Sequence, residues 1–179
     1  MMNILVVVED NRGSMHRMSK EAIAGAQKIG GNITALVIGA NADAIADQLS
    51  SIALENTLVV KHELVSSYNS DGYTEVVKQV IQSINPSIII IGHTYQTRDF
   101  MPRVSARLDI PFIPDIIGLE QDAYTKQVLN SKLNSSVSSL SDMKILSFQS
   151  ACFSAEDMLT GKSSSQNFDV DLDPSMVRS

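Results

Sequence analysis

The densest run of side chains able to hold a ligand is Gly92-His93-Thr94-Tyr95-Gln96-Thr97-Arg98-Asp99. His93 has a ring suited to acid–base work. Arg98 and Arg103 carry the forked donors that hold an anion at a helix N-terminus. A structural reading stands beside this one, in which His93 and Thr94 satisfy backbone groups where a strand ends and the arginines pair with nearby acids. Asp99 is expected to cap the helix that follows. Pro102 then falls in its first turn, where a missing N–H costs little, and Arg103 lies one turn beyond Asp99, within pairing reach. Asp99, Pro102 and Arg103 thus form an architectural motif, and His93 and Arg98 remain as the ligand-facing candidates.

Other chemistry finds little support. His16, His62 and His93 fall in different elements, and no H-x-x-H or H-E-x-x-H spacing offers a metal site. The single cysteine, Cys152, sits in an apolar context without a local His, as a structural thiol does. The Ser-rich stretches lack a G-x-S-x-G elbow. The loop Glu9 to Ser14 has neither phosphate-cradling glycine signature, and it reads as a solvated turn. The expectation is therefore no catalytic residue and no metal ligand.

The elements that position these residues alternate regularly. Asn3 to Glu9, Ile33 to Ile38, Thr57 to Val60, Ser87 to Ile91 and Phe112 to Leu119 are short apolar runs, as strands buried on both faces are. Between them lie amphipathic helices. One runs from Met15 to Ile29 and is closed by Gly30-Gly31, and one is capped by Asn41. A third, Gly72 to Ile84, carries an apolar stripe of period 3.6 and ends at Asn85-Pro86. A fourth follows Asp99. This pattern predicts an α/β fold with three Rossmann-like layers: a mostly parallel sheet with helices on both faces. After Leu119, strand-like spacings with turns near Asn130 and Ser141-Asp142 predict three shorter strands, at least two of them antiparallel. They extend or flank the sheet and leave an apolar patch where Phe148, Cys152 and Phe153 have no helix to cover them. Residues 1–155 form this domain, and 156–179 read as a polar acidic tail or linker.

The chain has 179 residues, 44% of them hydrophobic, and a net charge of -6. That is one domain with a sizeable core. An acidic chain is a poor nucleic-acid binder, because counterion release needs Lys and Arg. No apolar stretch reaches the ~20 residues that span a bilayer, and Met1-Met2-Asn3 leads into Ile4 to Val8 without a secretory pattern. A cytoplasmic location is expected.

At the fourth crossover a family resemblance becomes specific. Gly92 to Asp109 resembles the "T-x-x-G-[RK]-D-x-x-P-R-x-A-A-x-L-D" stretch of electron transfer flavoprotein alpha subunits, and Ile113 to Leu119 resembles that family's "x-S-D-I-I-x-[LV]". The opening Ile4 to Glu9 with Gly13-Ser14, the stretch Gly30 to Gly39, and Lys144 to Phe153 are similar as well. The likeness covers about the first 155 residues. Thr97, Gln149 and Ser131-Lys132 depart from the family's Gly, Arg and Gly-Asn. The resemblance is to the N-terminal domain of the alpha subunit, of adenine nucleotide alpha hydrolase-like architecture. The family's C-terminal FAD-binding module has no counterpart here, since only Gly161 occurs after Gly118.

The resemblance implies a role in electron transfer from flavoprotein dehydrogenases, in which the cofactor and no side chain does the chemistry. It implies a heterodimer with a beta subunit. FAD is held mainly by the alpha C-terminal domain and AMP by the beta subunit. This chain alone is expected to bind no FAD, and the isolated domain to form homodimers. The alternatives are a nucleotide-binding module of the universal-stress-protein type and a stand-alone divergent relative without a redox role. For the former, only Gly92 of the required glycine loop is present.

Overall fold

The computed structural model describes residues 2–120 and 123–177. The chain begins with strand β1 (Asn3–Val8) and a small hairpin, β2 (Asp10–Asn11) and β3 (Ser14–Met15). Then come α1 (Arg17–Ile29), β4 (Asn32–Ile38), α2 (Ala42–Leu49), β5 (Asn56–Val60), α3 (Ser70–Ile84), β6 (Ile88–Gly92) and α4 (Tyr95–Leu108). The last part holds β7 (Phe112–Glu120), β8 (Ala123–Val128), β9 (Leu133–Val137), β10 (Lys144–Phe148) and β11 (Ser164–Asn167). Nine strands form one sheet in the order β11-β5-β4-β1-β6-β10-β7-β8-β9. From β11 to β7 all neighbours are parallel, while β7, β8 and β9 form an antiparallel meander.

Successive side chains of a strand point to opposite faces, so each parallel strand feeds two cores. Ile4, Val6 and Val8 pack with Ile23 and Ala26 of α1 and Ile45 and Leu49 of α2. Leu5 and Val7 pack with Val76, Val77 and Val80 of α3 and Phe100 and Val104 of α4. This double burial explains the unbroken Val/Ile runs. The three-layer fold read from the sequence is present.

Four local expectations are corrected. Lys144–Phe148 does not extend or flank the sheet: β10 is parallel and threads between β6 and β7. Phe148 and Phe153 are not left open, because both are buried and their rings, 4.8 Å apart, pack under Gly25 of α1. A Cβ at Gly25 would lie 2.6 Å from Phe148. Asn41 sits at the N-terminus of α2 but makes no side-chain cap bond, since its amide donates to Asp10 at 2.8 Å.

The segment 156–179 is no free linker over its described part. β11 pairs with the edge of β5, and Leu172 is buried on the α3 side. Two glutamine amides clamp it in the manner of strand neighbours. Gln27 accepts from Leu159 N at 2.8 Å and donates to its carbonyl at 3.2 Å. Gln79 accepts from Asp171 N at 2.9 Å and donates to its carbonyl at 2.7 Å. Arg178 and Ser179 lie outside the described residues.

Candidate functional site

In an open parallel sheet, ligands sit beyond the carboxyl ends of the strands where the strand order reverses. Here the chain runs from β1 outward to β4 and β5, then returns to β6 on the other side of β1. The loops after β1 and β6 therefore flank that crevice. Thr94 ties them together, its hydroxyl donating to Glu9 Oε2 at 2.5 Å. The amide of Glu9 donates to Ser19 Oγ at 2.9 Å. Gly92 lets α1 descend onto the sheet, because a Cβ there would lie 2.7 Å from that of Met18. Asp10 accepts from Gly13 N at 2.6 Å and, through its other oxygen, from Asn41.

The crevice is thus closed by a hydrogen-bonded latch and carries two carboxylates. Tyr73, which donates to Ile38 O at 3.2 Å, feels them: burial pushes its phenol up to about 12, aided by the charges of Asp10 and Glu9. Such a field repels a phosphate. The glycines do not offer a flavin or nucleotide pyrophosphate a cradle either. Gly92 faces Met18, and Gly39 faces Tyr73 Oη at 3.4 Å and the Val65 carbonyl. The residues described here do not fit the pyrophosphate of FAD, nor AMP at the switch point.

The helix after β6 begins earlier than expected. Thr94, not Asp99, is its N-cap, accepting from Thr97 N at 3.2 Å, and the Thr97 hydroxyl donates to Gly92 O at 2.6 Å. Both residues suit a cap, but the reach of Thr97 back to the strand end fixes the first turn at Tyr95. Asp99 and Pro102 therefore lie inside α4, where Pro102 withholds a donor from the Arg98 carbonyl. Asp99 instead accepts from Tyr68 Oη at 2.7 Å, and Arg103 reaches Asp99 at 3.6 Å and Asp71 of α3 at 3.0 Å. Burial, followed by the bond to Asp99, holds the Tyr68 phenol well above its ordinary value. The group fastens α4 to α3 and to the loop before it.

His93 lies over the end of β10 and the bulged middle of β7. Its Nδ1 is 2.9 Å from Ser147 Oγ, and its Nε2 is 3.9 Å from Asp115 Oδ1. Ser147 Oγ also accepts from Asp115 N at 3.2 Å. Asp115 has φ +62°, and the β10–β7 register shifts beside it. This bulge turns the Asp115 amide onto a side chain in place of the ladder. Burial lowers the His93 pKa below its ordinary value; Asp115 opposes the shift, and the charges of Arg98 and Lys126 add to it. Ser147 Oγ, with one hydrogen and two lone pairs, serves the Asp115 amide and His93 Nδ1 together. Ser147 is fully buried, so the Ser147–His93–Asp115 line braces β6, β10 and β7 against one another and presents no nucleophile. Arg98 is not drawn into this network. Its guanidinium lies 4.5 Å from the ring centre of the exposed Tyr95.

Glu9, Ser147 and Asp115 were not singled out in the sequence. Ser147 carries the one usable signal, a lone hydroxyl within the apolar run Ile145 to Phe148. Burial raises the Cys152 thiol to about 11, with the Glu21 charge adding, so it stays protonated and unreactive. Among the described residues, no cluster of three or more His, Cys, Asp or Glu side chains is arranged to hold a metal. No helix of the described residues is long and apolar enough to cross a membrane.

The model of the electron transfer flavoprotein domain family matches residues 4–173. The electron transfer flavoprotein subunit alpha of Bacillus subtilis is 28% identical over 176 residues, which cover 94% of this chain and 54% of that protein. A probable mitochondrial alpha subunit from Caenorhabditis elegans is 27% identical over 151 residues, covering 83% of this chain and 46% of the relative. The acryloyl-CoA reductase electron transfer subunit beta of Anaerotignum propionicum is 27% identical over 159 residues, or 87% and 41% of the two chains. The chain spans about half the length of these relatives, and the part it resembles is the N-terminal domain.

Proposed function

Because this chain belongs to the electron transfer flavoprotein domain family, we propose that it is the architectural domain of an alpha subunit, working within a carrier that takes electrons from flavoprotein dehydrogenases. In this reading FAD performs the redox step elsewhere in the assembled carrier, no side chain of this domain does covalent chemistry, and the partner is a beta subunit. The carrier works in the cytoplasm.

One observation carries this reading. The family match runs through the whole sheet, from β1 to beyond β11, while the crevice that would hold a dinucleotide is latched by Glu9 and Thr94. A domain that keeps the scaffold and fills the ligand position is suited to packing against a partner. The protein's contribution is then the shape and charge of its surface.

The test is co-expression of the chain with a beta subunit of the same family. Stable co-purification of the two, with the chain alone colourless, is expected. A yellow chain carrying stoichiometric FAD by itself would overturn the architectural reading, and failure to associate with any beta subunit would remove the heterodimer.

A further inference from the structure

We propose that residues 159–172 act as an edge guard, a belt that covers β5, is buckled at its two ends by Gln27 and Gln79, and opens as one unit. β5 is buried from Thr57 to Val60, and three of those four residues are aliphatic. Left bare, the outer edge of such a strand is a template for further strand pairing. β11 covers it with Ser164-Ser165-Gln166-Asn167, all of them polar and exposed.

Little burial holds the belt in place. Leu172 is its only buried residue, with Phe168 and Val170 partly buried on the same core. Backbone bonds do the rest. The Leu159 carbonyl accepts from Ala53 N at 3.0 Å, Gly161 N donates to Ser51 O at 3.0 Å, and Ser163 N donates to Ser50 O at 3.1 Å. Then β11 pairs with β5, and Phe168 N donates to Val59 O at 2.9 Å. Each such bond is worth little on balance, because water satisfies the same groups once they are freed. Segments held in this way open locally, at less cost than global unfolding.

The two ends are held by side chains. Gln27 belongs to α1 and Gln79 to α3, helices that pack on opposite faces of the sheet. Each amide takes both the N–H and the C=O of one belt residue, Leu159 for Gln27 and Asp171 for Gln79. Each is also fixed from behind: Gln27 Nε2 donates to Ala53 O at 3.1 Å, and Gln79 Nε2 donates to Glu75 Oε1 at 3.1 Å. The belt thus passes round the β5 edge from one helix layer to the other. Gly161 lets it lie close, because a Cβ there would be 2.7 Å from Ala53 Cα. Between the buckles β11 adds no buried side chain. Once either end lets go, nothing but solvent-exposed backbone bonds keeps the strand in place, so the segment leaves together.

Amide-resolved hydrogen exchange of the full chain tests this. In the unaltered chain, the hydrogen-bonded amides from Gly161 to Asp171 are expected to share one opening equilibrium and to exchange faster than those of β1, β4 and β6. Gln27→Ala and Gln79→Ala each remove one buckle, and each should speed exchange at both ends of the belt, by about tenfold for the two hydrogen bonds lost. The decisive amides are those remote from each change: Phe168 in Gln27→Ala and Gly161 in Gln79→Ala. Three results overturn the proposal: belt amides as slow as those of β1, β4 and β6, acceleration confined to the altered end, or opening equilibria graded from one end of the belt to the other in the unaltered chain. The last is read without any substitution, so it decides the matter should either variant fail to fold.

Discussion

β9 and β10 are consecutive strands of five residues each, and they meet opposite fates. β10 threads between β6 and β7 and is buried from Ile145 to Phe148. β9 ends the sheet, and none of its residues is buried. The difference lies in what covers them. β10 lies under α1 and the Phe153 ring, whereas β8 and β9 reach that core only at Tyr124 and Val137. The parallel body therefore carries most of the stability, and the rest of the antiparallel hairpin is surface.

The largest test of that contrast is in β10. Phe148→Ala removes a fully buried ring packed against Gly25 and Phe153. A loss of ~3–5 kcal/mol is expected from urea unfolding. A loss below about 1 kcal/mol would mean that β10 is not the core strand described here.

The next test concerns the loop that joins β6 to α4. Thr94→Ala removes the cap and the bond to Glu9, and a loss of about 2 kcal/mol is expected. Asp99→Ala removes a half-exposed bond to Tyr68 and a weak ion pair, and should cost less than about 1 kcal/mol. Paired thermal melts check the order. If Asp99→Ala proved the costlier change, the cap would belong to Asp99 after all.

His93 gives a smaller, pH-dependent effect. Burial lowers its folded pKa, so the unfolded chain binds the proton more tightly. Its contribution to stability is intact above the unfolded value of about 6.5 and is lost as pH falls from there through the folded pKa. Carboxylates titrate lower still, so the informative quantity is a difference. Stability should fall less between pH 7.5 and 5.5 in His93→Gln than in the unaltered chain. Equal slopes would mean that the ring is not desolvated by its place over Ser147.

What the sequence reveals follows the same division. The runs Ile4 to Val8, Ala35 to Ile38 and Ile88 to Ile91 are legible as strands because burial on both faces demands apolar residues at every position. The place of β10 is not legible: Lys144–Phe148 looks like any other buried run, and strand order is decided by packing far along the chain. β11 escapes notice because Ser164–Asn167 is polar throughout and is held by backbone pairing, while the alternation that anchors the segment, Phe168, Val170 and Leu172, is short and interleaved with acidic residues. The cap of α4 is ambiguous because Thr94 and Asp99 are both good caps, and only the bond from Thr97 to the Gly92 carbonyl separates them.

The smallest expected effect tests the other side of the contrast. Leu133 of β9 is more than half exposed and outside both cores. Leu133→Ser, measured by urea unfolding at a dilution where the chain is monomeric, should change stability by no more than ~0.5 kcal/mol, as surface substitutions do. The fold needs the backbone of β9 to satisfy β8, and serine supplies that backbone as well as leucine does. The side chain faces water in the single chain, so its removal forfeits little burial. A loss of about 2 kcal/mol or more in the monomer would place Leu133 in a core of its own, and the hairpin would then share in the stability that the helices and the parallel strands are held to supply.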